Sequence, residues 1–114
     1  MAVMKQPVCR ERVRRMPPSF SWVDHRLVRD NHIGNCSHAA LALYLFLVTV
    51  ADAEGLNYWS EGAVGRRLRL EPRRLKEARA ELEAAGLVAY EAPLWQVLEL
   101  PAHAGQAAQP AGAA

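Results

Sequence analysis

Cysteine is scarce in this sequence, with only Cys9 and Cys36 among 114 residues. That is too few for the disulfide framework that holds small secreted domains together. No secretory-leader pattern opens the chain, so a reducing cytoplasm is the expected compartment. Long apolar runs are missing too. The longest, residues 39–51, is thirteen residues interrupted by Thr49, short of the roughly 20 that span a bilayer. A buried helix is expected there, and no membrane contact. Metal ligands do not accumulate: His32, Cys36 and His38 fall close together in "HIGNCSH", but no second Cys/His pair follows and His103 stands alone, whereas a structural zinc site needs four ligands. There is no glycine-rich phosphate loop, no nucleophile elbow and no acidic pair in a plausible cleft, and Asp24-His25 has no third member in view. These absences argue against an enzyme and against a metal, a cofactor or a small-molecule ligand.

What is present is positive charge, unevenly spread. The net charge is only +2. Residues 1–18 nevertheless carry Lys5, Arg10, Arg12, Arg14 and Arg15 against Glu11, a net of +4, and residues 66–79 carry Arg66, Arg67, Arg69, Arg73, Arg74, Lys76 and Arg79 against Glu71 and Glu77, a net of +5. The remainder is acidic. Local concentration of one sign favours a patch for a polyanion over diffuse charge for solubility. With 51% apolar residues in 114, the chain is long enough for one compact core and too short for two.

Punctuation divides the chain into three. Residues 1–18 read as a flexible basic arm ending in Pro17-Pro18. Residues 19–100 read as the folded unit. Residues 101–114, Ala, Gly, Gln and Pro without a large apolar side chain, read as a disordered tail. Inside the folded unit, "SFSWV" has strand composition. Asp24 can cap a short helix that carries Leu27 inward, and Ser37 is an N-cap for "HAALALYLFLVTVAD", whose apolar residues surround the helix. "AEGLNYWS" reads as a turn with Tyr58 and Trp59 extended, and Ser60 caps "EGAVGRRL". Glu71-Pro72 opens a helix over 71–85 with the seam Leu75, Ala78, Leu82 and Ala85, closed by Gly86. "LVAY" and "LWQVLEL" form a hairpin turning near Ala92-Pro93.

The fold class expected is therefore mostly α with a small β-hairpin. The order of helix, short helix, tight turn, longer helix, glycine and hairpin is the plan of a winged helix-turn-helix, a three-helix core plus wing. "YWSEGAVGRRLRLEPRRLKEARAELEAAGLVAY" resembles the signature of that family. Upstream, "FSWVDHRLVRDNHIGNCSHAALALYLFLVTVADAEG" is similar to the entry segment of the group found in phage replisome organisers and plasmid replication initiators. The resemblance covers residues 20–100 and implies a cytoplasmic, bacterial-type protein that binds double-stranded DNA, as a transcriptional regulator or as a replication or transposition accessory of a mobile element.

With the seam in the core, the opposite face of the helix carries Arg73, Lys76, Glu77, Ala80 and Ala84. Arg73 and Lys76 suit guanine edges or phosphates, Glu77 suits a cytosine amino group, and Ala80 allows close approach to a thymine methyl. Arg66, Arg67, Arg69, Arg74 and Arg79 suit backbone phosphates. Basic charge in the first half of the helix, followed by Glu81 and Glu83, favours DNA contact over a merely solvated face. The hairpin has no basic residue and carries Glu91 and Glu99. A second class stays open, a protein-interaction module on the same fold that docks through its acidic aromatic hairpin, with Trp95 as anchor, and through the apolar helix. The all-round apolar helix leaves two further readings open: Leu43, Phe46, Leu47 or Val50 facing a second copy in a homodimer, or cover by the N-terminal strand and the hairpin.

Overall fold

A computed structural model describes residues 4–103. The expected disordered tail therefore lies almost wholly outside the described residues. Four helices and a three-stranded antiparallel sheet make a small α+β domain: α1 (Arg26–Arg29), α2 (His38–Val50), β1 (Leu56–Asn57), α3 (Glu61–Leu68), α4 (Pro72–Ala84), β2 (Val88–Glu91) and β3 (Leu94–Val97). Residues 4–23 precede them as an irregular, fully exposed segment with a single 3-10 turn at Arg10–Arg12.

The helix boundaries follow their capping chemistry. The Ser37 hydroxyl accepts from the Ala40 N–H to start α2, and the Ser60 hydroxyl accepts from the Ala63 N–H to start α3. Pro72, which has no N–H to leave unpaired, occupies the first turn of α4. At the far end Gly86 takes φ 74°, its N–H bonds the Glu83 carbonyl, and the Leu87 N–H bonds the Leu82 carbonyl. This pair of bonds is a Schellman closure, and it buries Leu87 against the core. Helix α3 closes with the same pair, Arg69 N–H to Arg66 and Leu70 N–H to Gly65, but the left-handed position at φ 57° is held by Arg69 instead of glycine.

The core forms where α2 crosses α4 and both meet the sheet: Leu43, Leu47, Val64, Leu75, Leu82, Leu87, Val88 and Trp95 are its largest members. The expected seam of α4 is buried at Leu75, Ala78 and Leu82, and Ala85 is half-buried at its end. Strand order is β1-β3-β2, with Leu56 opposite Gln96 and Tyr90 opposite Trp95.

Three expectations are corrected. Residues 19–23 form no strand: no ladder partner lies beside them, Phe20 and Trp22 are exposed, and the Ser21 hydroxyl donates to the Thr49 carbonyl instead. The third strand is Leu56–Asn57, two residues before the stretch expected to be extended, and it adds an edge to the hairpin. Helix α2 buries mainly one side, Ala40, Leu43, Tyr44, Leu47 and Val48. Leu43 and Leu47 are thereby removed from any surface, Phe46 is covered edge-on by Trp59 at 5.1 Å, and Leu45 is left exposed.

Candidate functional site

The surface rich in positive charge is built by the turn between α3 and α4. Gly65 makes that turn tight, because a Cβ there would sit 2.9 Å from the Leu70 carbonyl oxygen. The close return of the chain sets the end of α3 against the first turn of α4 and leaves a hollow of about 480 Å³ between them. Arg66, Arg69 and Lys76 line it together with Glu61 and Glu71, and Leu70, Pro72 and Leu75 supply its apolar lining. Arg73 and Arg74 are exposed on the same first turn of α4, and Glu77 and Ala80 continue the exposed face. Five exposed cations from two helices and a turn thus surround the start of α4.

None of these five cations makes an ion pair among the described residues. The acids nearby are treated differently. Glu61 pairs with Arg79 at 2.5 Å and accepts from the Tyr90 hydroxyl at 3.3 Å. Glu83 meets Arg79 at 3.4 Å. Glu81 turns away from the surface and accepts from both the backbone N–H and the hydroxyl of Ser37 at 2.7 Å, which holds its carboxyl below the ordinary glutamate value. In doing so it satisfies the free N–H ahead of α2, the task a capping-box glutamate performs within its own helix. Glu71 and Glu77 are the acids left unpaired on this surface. The result is a net positive surface, five cations against Glu71 and Glu77, of the kind that draws a polyanion and positions it by its phosphates.

Three expected site residues fall elsewhere. Arg79 is engaged on three sides, by Glu61, by Glu83 and by the Tyr90 ring 4.4 Å from its guanidinium carbon. It ties α3, α4 and β2 together and is withdrawn from the free surface. The same cluster raises the Tyr90 hydroxyl, through burial and then the Glu61 charge. Arg67 is exposed but lies over the Trp59 ring at 5.5 Å. Trp95, expected as a partner anchor, is fully buried; its indole N–H donates to the Trp59 carbonyl at 2.8 Å and its ring contacts Tyr90 at 4.4 Å. It is a core residue and presents nothing to a partner.

Among the described residues no group of three His, Cys, Asp or Glu side chains comes together to hold a metal ion. No described helix is long and apolar enough to cross a membrane. Comparison with protein-family models, with curated proteins and with solved structures finds no match.

Proposed function

We propose that the chain binds duplex DNA as a winged helix-turn-helix, with α4 in the major groove, the end of α3 against the flanking phosphates, and β2–β3 in the position of the wing. The observation that carries this reading is the sorting of charge around the α3–α4 turn. Arg66, Arg69, Arg73, Arg74 and Lys76 are exposed around the α3–α4 turn and make no ion pair among the described residues, while Glu61, Glu81 and Glu83 are held in structural bonds. The element order α2-β1-α3-α4-β2-β3 and the sheet order β1-β3-β2 agree with that architecture. Arg73 and Lys76 are the candidates for base edges or phosphates, with Glu77 and Ala80 beside them; Arg66, Arg69 and Arg74 take phosphate. The hairpin tip, Glu91-Ala92-Pro93, offers no cation, so grip comes from the helices. Binding acts by occlusion or recruitment without chemistry, as in a transcriptional regulator or a replication or transposition accessory.

The test is fluorescence-anisotropy binding to a random duplex over a series of salt concentrations, for the parent chain and for Arg73→Ala/Lys76→Ala. We expect affinity that falls steeply with salt, and a log–log slope shallower by about 1–2 in the variant if one or both cations meet phosphate. Equal slopes and affinities would remove these residues from the contact, and no binding at low salt would end the reading.

A further inference from the structure

On the far side of the sheet edge, a groove of about 560 Å³ runs between residues 20–24, the end of α2 and the segment after β3. Phe20 and Trp22 stand along it, both largely exposed, and Tyr44 and Val48 form part of its floor. Its charge is opposite to that of the α3–α4 surface. Asp24 and Arg26 neutralise each other at 2.7 Å, an interaction that lowers the Asp24 carboxyl to about 2. Asp52, Glu54 and Glu99 make no ion pair among the described residues. The groove is apolar with a net negative rim.

Immediately upstream lies a segment of complementary character. Residues 4–18 carry Lys5, Arg10, Arg12, Arg14 and Arg15 against Glu11, and interleave Val8, Val13 and Met16, all exposed. Among the described residues none before Phe20 lines the groove, so residues 4–19 do not fill it. An exposed, irregular basic segment studded with apolar side chains and an apolar groove with an acidic rim are present on one molecule.

We propose that two copies of the chain exchange their basic arms, each arm lying in the partner's groove with its arginines toward Asp52, Glu54 and Glu99 and its apolar residues against Phe20 and Trp22. Reciprocal exchange makes the contact two-fold and closes it as a dimer, whereas one-way transfer of the arm would build open chains. Such pairing leaves the α3–α4 surface of both copies free. It stands or falls independently of what that surface binds.

Charge reversal tests it on the full chain. The parent should sediment at twice the chain mass at about 50 mM salt, where surface charges are weakly screened, and move toward monomer as salt rises. Glu54→Lys/Glu99→Lys reverses the groove rim and Arg12→Glu/Arg14→Glu/Arg15→Glu reverses the arm; all five positions are exposed, and circular dichroism melts check that each variant still folds. Each variant alone should be monomeric. Mixed in equal amounts they should return to twice the chain mass, because each reversed arm then meets a rim of opposite charge. A monomeric parent at low salt overturns the proposal, as do variants that stay dimeric alone or stay monomeric when mixed.

Discussion

Replacing Arg79 by methionine removes one side chain from three contacts at once: Glu61 at 2.5 Å, Glu83 at 3.4 Å and the Tyr90 ring at 4.4 Å. The Arg79 and Glu61 side chains are 21% and 30% exposed, so the pair is partly withdrawn from water. A hydrogen bond between charged groups in such a setting contributes about 1.5–3 kcal/mol. The cation–π contact adds about 0.5–1 kcal/mol, and the helical i,i+4 pair about 0.3 kcal/mol. Methionine keeps most of the aliphatic packing of the arginine stem. Leaving Glu61 with only the Tyr90 hydroxyl should therefore lower stability by about 2–4 kcal/mol, or roughly 8–32 °C in Tm for a domain of this size. Urea unfolding followed by tryptophan fluorescence measures the loss, and a double-mutant cycle with Glu61→Gln should return about 1–2 kcal/mol of coupling. The salt slope of DNA binding should not change, since Arg79 is not on the free surface. A variant within about 0.5 kcal/mol of the parent would refute the reasoning, because the pair would then behave as an exposed one.

Acid should weaken the fold in part through Glu81. Its carboxyl is held below the ordinary 4.5 by Ser37, so its contribution is complete above that value and is lost as pH falls through the lower folded value. In Glu81→Gln the acid limb of a stability–pH curve should be shallower, with a cost of about 1 kcal/mol at pH 7 from the weakened start of α2; an unchanged limb would count against the bond. Trp95→Ala should cost about 3–5 kcal/mol in urea unfolding, as expected for a buried aromatic, and a stable variant that had lost only a binding activity would restore Trp95 as a surface anchor. At the α3–α4 turn, Arg69→Gly should relieve the left-handed backbone and stabilise by about 0.5–1 kcal/mol while weakening DNA binding. Unchanged or tighter DNA binding would separate Arg69 from the contact role given to it, and a loss of stability would contradict the relief of its left-handed backbone.

What the sequence made legible is chiefly local. Ser37 and Ser60 as caps, Pro72 at a helix start, Gly86 at a helix end and the 3-4-3 spacing of the α4 seam are each decided within one turn of chain, and the structure places all of them as expected. The free cations of the candidate surface were legible for the same reason, once the seam had fixed which side of α4 faces outward. Long-range pairing was not. Strand β1 is two residues whose identity as a strand depends on Trp95 and Gln96, about forty positions later. Residues 19–23 have the alternation of a strand but no edge to join. Arg79 looked like its basic neighbours until Glu61, eighteen residues upstream, was seen beside it, although its i,i+4 spacing to Glu83 was a local hint. Helix α2 is apolar on every side, so its periodicity carries no information about which side is covered.

The most direct test of the central claim is a titration of the nitrogen-15-labelled full chain with a short random duplex, followed by backbone amide shifts at low salt. We expect the changes to concentrate at Arg66, Arg69, Arg73, Arg74, Lys76, Glu77 and Ala80, with residues 87–97 of the hairpin little affected. Changes centred on the hairpin, or spread without regard to the α3–α4 turn, would contradict the assignment of that surface as the DNA-binding face.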